Sequence, residues 1–183
     1  MNQTRKHMAD LLTDFAPRFE KLEPSEGKIR QYKTAIFIFP DIEAEDAHET
    51  VDYVQAQVKR MFVERGLMIG EFHSANNATG LRNTSFYPLR TPYPCLAVRH
   101  MVPGDFVFMT LDSYDIDLQV KLLQGFLEVF GDEGHRKEVK EAKKAFDKAT
   151  IMQITAKLNR SKAKSTSNAP SSEGPRAAGT QSC

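Results

Sequence analysis

The chain has 183 residues, 40% hydrophobic and 27% charged, and its 25 Lys and Arg nearly cancel its 24 Asp and Glu to a net charge of +1. These values exclude a fully disordered, collagen-like or disulfide-scaffold protein, and the length fits one domain of about 100–200 residues with terminal extensions. Near-neutrality gives no global attraction to nucleic acid or anionic membrane, yet it hides an asymmetry: Met1 to Asp132 holds 14 basic against 19 acidic residues, Glu133 to Lys164 10 against 4.

Met8, Leu11, Leu12, Phe15, Phe19 and Leu22 recur at helical spacing, so a short N-terminal helix is expected, broken or kinked at Pro17. Pro24, Ser25 and Gly27 then mark a linker. Thr34 to Phe39 is β-branched and aromatic on both alternating faces, which predicts a strand central in its sheet with Phe37 and Phe39 in the core. Ala47, Val51, Val54, Val58, Met61 and Phe62 form a helical stripe that Gly66 closes. Leu67 to His73 and Cys95 to Met101 read as two further strands, with Leu96, Val98 and His100 on one face of the latter and Arg99 on the other. Ile116, Val120, Leu123, Leu127 and Phe130 predict a helix capped near Asp112 and Ser113. A basic helix from about Gly134 to Leu158 follows, and Ser161 to Cys183 reads as a disordered tail.

The fold expected from this order is α+β: a small sheet of three or four strands, helices on one face, and the N-terminal helix or the long loop on the other. Strand, helix, strand, strand, helix suggests a ferredoxin-like arrangement, complete or not. The organisation is then an N-terminal helix and linker (1–28), a core domain (29–132), a basic helix (133–160) and a tail (161–183).

Ser74 to Pro94 joins two strands without a periodic pattern, and connections longer than about 12–15 residues commonly bind something or are disordered. Phe86, Tyr87, Pro88, Pro92, Tyr93 and Pro94 stiffen this one. Asn77, Arg82, Asn83 and Arg90 give it the make-up of a polar or anionic ligand site opening from His73. In that reading the arginines hold a carboxylate or phosphate, the asparagines orient it, and His73 moves a proton if there is catalysis. The competing reading is structural, with these side chains satisfying local carbonyls and turns. Arg99 needs a carboxylate or ligand partner if it is covered.

His73 and His100 fall at opposite ends of an antiparallel strand pair, which argues against a shared metal, and the sequence holds no Cys-x-x-Cys or His-x-x-x-His motif, so no metal site is expected. No phosphate loop, Rossmann fingerprint or Gly-x-Ser-x-Gly elbow is present, and whether the chain is an enzyme stays open. The cofactor is likewise open; haem held by His73 or His100 would show as colour. No run approaches the roughly 18 apolar residues of a membrane span. With two cysteines and a polar Met1 to Asp10, a cytoplasmic protein without a membrane partner is expected.

The run Phe72, His73, Gly80, Leu81, Asn83, Pro88, Leu89, Arg90, Pro92, Pro94, then Leu96, Arg99, His100 and Met101, resembles a small domain of unknown function found in bacteria and fungi. Its pattern is a Phe-His pair, Pro-Leu-Arg-x-Pro-x-Pro, and an apolar strand ending Arg-His-Met, over roughly 36–130 of this chain. Where many relatives have proline after the histidine, this chain has Ser74. The resemblance implies an intracellular accessory protein of specialised metabolism, such as fungal alkaloid clusters of the loline type, and assigns no activity to any residue. The leading expectation is thus a protein that binds or converts a small polar or anionic molecule at the 73–94 loop. The alternative is a pathway regulator or scaffold, nuclear if it contacts DNA, that uses the basic helix to meet a protein partner or, less in keeping with its lack of a DNA-reading motif, nucleic acid. Removal of Gly134 to Cys183 is expected to separate the two.

Overall fold

The computed structural model describes residues 3–134 and 136–167, with side chains to residue 161. Helix α1, Gln3–Lys21, buries Met8, Leu12, Ala16 and Phe19. It runs unbroken through Pro17, against the expected break. Proline inside a helix costs about 3 kcal/mol, and the turn beyond it is held by the buried Phe19 and by Lys33, whose Nζ donates to the carbonyls of Phe19 and Leu22 at 2.7 and 2.5 Å. A lysine bonded to orphan carbonyls is a C-terminal cap.

A 3-10 helix over Lys28–Tyr32 leads into strand β1, Thr34–Ile38. A π-helical turn, His48–Asp52, runs directly into α2, Tyr53–Glu64, and Gly66 at φ 69° turns the chain back into β2, Leu67–Phe72. A side chain at that φ is strained, and an added Cβ would also press on Val129 at 3.3 Å. Strand β3 is Cys95–His100, and after a 3-10 helix over Pro103–Phe108 come α3, Ile116–Phe130, and α4, Lys137–Ser167. Asp115, not Asp112 or Ser113, caps α3, accepting from the Leu118 amide at 2.8 Å.

The three strands form one antiparallel sheet in the order β1-β3-β2. With β1 and β2 parallel to one another and β3 inserted between them, this is the split βαβ of a ferredoxin-like arrangement, and the described residues supply no fourth strand. The class is α+β, as the element order indicates. The central strand, however, is β3 and β1 lies at an edge, which corrects the reading of Thr34 to Phe39 as central. Ala35 and Phe37 pack toward α1 and α2, with the Phe37 ring edge-on to Phe15 at 4.8 Å, while Ile36 and Ile38 on the other face stay about 60% exposed. Isoleucine there reflects preference for a pleated backbone rather than cover on both sides.

Helices α1 and α2 share one face of the sheet, and their core joins Phe19, Val54, Val58, Phe62, Ile69 and Val98. A second core forms where α3 and α4 meet the end of α2, around Leu122, Leu123, Phe126 and Val139, and Gly125 lets the helices approach so closely that an added Cβ would sit 3.1 Å from Val63. The basic helix is therefore part of the folded body through Val139, Ala142 and Ala149. It also continues to Ser167, past the expected start of the tail at Ser161; the remainder of that expectation, 168–183, lies outside the described residues.

Candidate functional site

With α1 and α2 on one face, the opposite face of the sheet has no helix over its middle among the described residues. Register places Met68, Gly70 and Phe72 of β2 and Ala97 and Arg99 of β3 on this face, where they floor a cavity of about 440 Å³. That volume lies within the range of about 300–1,000 Å³ typical of small-molecule sites. Ala78, Thr79, Leu81 and Leu89 of the long loop close one side. Phe108, Leu111 and Tyr114, from the segment between β3 and α3, close another. The wall at the edge of β2 is polar: Gln55 and Lys59, one turn apart on α2, reach past the strand beside Glu71. Gln55 Nε2 donates to the Ile69 carbonyl at 3.0 Å, satisfying an acceptor on the unpaired edge of β2.

Lys59 is 6% exposed. Its Nζ donates to the Tyr114 hydroxyl and lies 4.8 Å from the centre of that ring, and no carboxylate forms an ion pair with it among the described residues. Burial pushes the ammonium below its ordinary pKa, against the attraction of Glu71 and Asp105. Burial pushes the Glu71 carboxyl up, and Asp52 adds to the rise against a bond from the backbone and the pull of Lys59. Tyr114 is pushed up to about 12, first by burial and then by Glu71, so its phenol keeps its proton. The fourth titratable group, Arg99, is already neutralised: Nη1 and Nη2 donate to the two carboxylate oxygens of Asp105 at 2.7 and 2.6 Å. That bond raises the Arg99 pKa further.

The residues singled out from the sequence fall around this cavity in different ways. Arg90 is engaged within its own loop: Nε donates to the Asn76 carbonyl at 2.8 Å, Nη2 to Asn77 Oδ1 at 3.1 Å, and the guanidinium stacks 3.8 Å from the Tyr87 ring centre. Asn83 Oδ1 accepts from the Ser85 amide at 2.9 Å, an Asx turn. Asn77, Arg82 and Asn83 are exposed, and of the residues singled out from the sequence Arg99 lines the cavity whereas His73, Asn77, Arg82, Asn83 and Arg90 do not. His73 is buried at the end of β2, its amide donating to the Leu89 carbonyl at 3.2 Å and so tying the loop back to the sheet. Its Nε2 lies 3.1 Å from Asp52 Oδ1, within ion-pair distance, but neither ring nitrogen has a hydrogen-bond partner among the described residues. His100 pairs with Leu67 and Phe72 with Cys95, so the two histidines do lie at opposite ends of the strand pair. The His100 ring packs 5.3 Å from that of Phe19 on the helical face.

Sequence reasoning passed over Lys59, Glu71 and Tyr114. Two signals pointed to them. Glu71 is a carboxylate inside an otherwise apolar strand, and Gln55 and Lys59 follow one another at helical spacing on the flank of the α2 stripe.

Residues 1–142 match the family described as Domain of unknown function (DUF6875), and the chain belongs to that family. The match takes in α1, the whole sheet and α3, and ends within the first turns of α4. No curated protein and no solved structure matches the chain.

Proposed function

We propose that the protein binds a small organic molecule in the cavity between the sheet and the 74–94 loop, its apolar body against Phe72, Leu81, Leu89 and Phe108 and its polar end against Lys59 and Tyr114. The observation that carries this reading is the buried lysine. A nearly inaccessible ammonium without a carboxylate partner is costly to hold, and such groups cluster at sites where a ligand or a reaction uses them. An anionic or carbonyl oxygen on the ligand would supply the missing partner. In this reading the loop residues Asn77, Arg82, Asn83 and Arg90 give the roof its shape and a polar rim at which an anionic group enters, while His73 anchors the loop. The similarity of its Pro-Leu-Arg-x-Pro-x-Pro signature to accessory proteins of specialised metabolism favours a pathway intermediate as the ligand, and the buried free thiol of Cys95 suits the reducing cytoplasm.

Ala97 tests this without touching a charge, because a large side chain there would rise from the floor into the cavity. Binding of anilinonaphthalene sulfonate, a fluorescent anionic reporter of apolar sites, is expected in the wild type and lost in Ala97→Phe at an unchanged melting temperature. Equal binding by both proteins would overturn the cavity as the site.

A second reading, contact with a protein partner through α4, has one observation in its favour: Ile151, Ile154 and Leu158 are each more than half exposed where the helix leaves α3. A nucleic-acid face would be polar there. Since Val139, Ala142 and Ala149 are buried, the truncation that separates the two readings falls after Gln153 and not at Gly134. Dye binding should survive it and partner capture should not.

A further inference from the structure

We propose that Lys59 is a carbonyl-reactive lysine, whose amine condenses with an aldehyde or ketone group of the molecule held in the cavity to form an imine. This rests on the cavity being the ligand site. Imine chemistry needs an amine that spends time neutral, a proton source, shelter from bulk water and room for the carbonyl compound. The cavity supplies the room and an apolar lining, and Lys59 enters it from α2 at the edge of β2.

The setting of Lys59 differs from that of Lys33, Lys6 and Lys137. Lys33 is fixed on two carbonyls, and Lys6 and Lys137 pair with Asp10 and Glu141 at the surface. Lys59 has, among the described residues, only the Tyr114 hydroxyl as a hydrogen-bond partner. A phenol suits both charge states, accepting from the ammonium and donating to the neutral amine. The charged groups facing Lys59 are Glu71 from β2 and Asp105 from the 3-10 helix, and Asp105 is already spent on Arg99. Lys59 and Glu71 line the same cavity, and burial shifts the amine toward its neutral form and the carboxyl toward its protonated form.

In the first step the amine lone pair adds to the carbonyl carbon, the C=O π pair moves to oxygen, and the proton lost by nitrogen ends on that oxygen as a carbinolamine. Glu71 then gives its proton to the hydroxyl, which leaves as water while the nitrogen lone pair forms the C=N bond. The product is an iminium ion beside the Glu71 carboxylate, so charge is conserved within the site. No oxidant or reductant takes part.

Hexanal with sodium cyanoborohydride tests this on the full chain, since reduction converts any imine to a stable secondary amine that peptide mass mapping locates. At pH 7 an ordinary lysine is neutral in roughly one molecule in 2,500, and each unit of downward shift multiplies that fraction about tenfold. Labelling at Lys59 is therefore expected to run ahead of that at any other lysine, and it should be suppressed in Ala97→Phe. Lys59→Arg should remove the fast-labelling site while other lysines react as before. Uniform slow labelling of wild type that still binds the dye would overturn the imine and leave the cavity reading standing. The same labelling without dye binding would overturn both.

Discussion

Arg99 and Asp105 meet as a two-pronged ion pair across six residues of chain, and Asp105 also accepts from the Val102 amide at 2.8 Å. One buried carboxylate thus fixes the exit of the central strand, the start of the 3-10 helix and the guanidinium at the cavity floor. Asp105 is 2% exposed, whereas about a third of the Arg99 side chain meets solvent. Asp105→Ala is expected to cost about 2–3 kcal/mol, below the range for a fully buried pair because Arg99 can be rehydrated. Arg99→Lys should cost less but lose the planar fork. Urea unfolding of the three proteins measures both.

Arg90 holds the loop through Asn76, Asn77 and the Tyr87 ring at once. Lysine keeps the charge but cannot reproduce this planar arrangement, so Arg90→Lys is expected to lower stability by about 1 kcal/mol. Exchange of the Gly80 and His73 amides, both bonded within or to the loop, should speed up in the variant. Unchanged exchange with weakened dye binding would instead make Arg90 a ligand contact.

His100 is the titrating group of the helical core. Burial lowers its pKa below 6.5, and Lys33 and Arg30 lower it further. Between that depressed value and 6.5 the folded protein binds fewer protons than the unfolded chain, so stability falls as pH drops through the window and levels off beneath it. His100→Phe, which keeps a ring against Phe19, should flatten this slope. Urea midpoints from pH 7.5 down to 5 check it, and parallel profiles for the two proteins would refute it.

The helices and strand positions were legible because each rests on local periodicity: the α2 stripe, the Gly66 cap and the alternation of Leu96, Val98 and His100 all reappear. Strand order was not, because it depends on which edges find partners, and an apolar β1 reads alike at the centre or at an exposed edge. Phe37 is accordingly half-buried, so Phe37→Ala should cost about 2–3 kcal/mol against 3–5 for the fully buried Phe62→Ala, read as the difference in urea midpoints. The loop stood out through its length and stiffness, and four of its residues line the cavity, none of them among the polar residues the sequence singled out. The charged wall did not, because Lys59 and Glu71 come together only when α2 folds against β2, and a lysine beside an apolar stripe looks like any solvated one.

Lys59 provides the last prediction. Holding its ammonium in the cavity wall is unfavourable, and Tyr114 with the attraction of Glu71 and Asp105 offsets only part of that cost. Lys59→Met keeps similar volume and removes the charge, so it should raise stability at pH 7 by about 1–2 kcal/mol, the lower part of the range for replacing buried charges. The folded-state pKa lies below the ordinary 10.5. Between these two values the unfolded chain binds more protons, so wild-type stability climbs with pH through that window and the advantage of the methionine shrinks. Tyr114, pushed up from 10.0 to about 12, lowers stability as the unfolded phenol ionises from about pH 10 upward, and it does so in both proteins alike. Melting temperatures of both proteins at pH 7 and pH 10 measure the convergence. A methionine variant less stable than wild type at pH 7 would show that the ammonium is a structural contact, and the site would lose its main physical support.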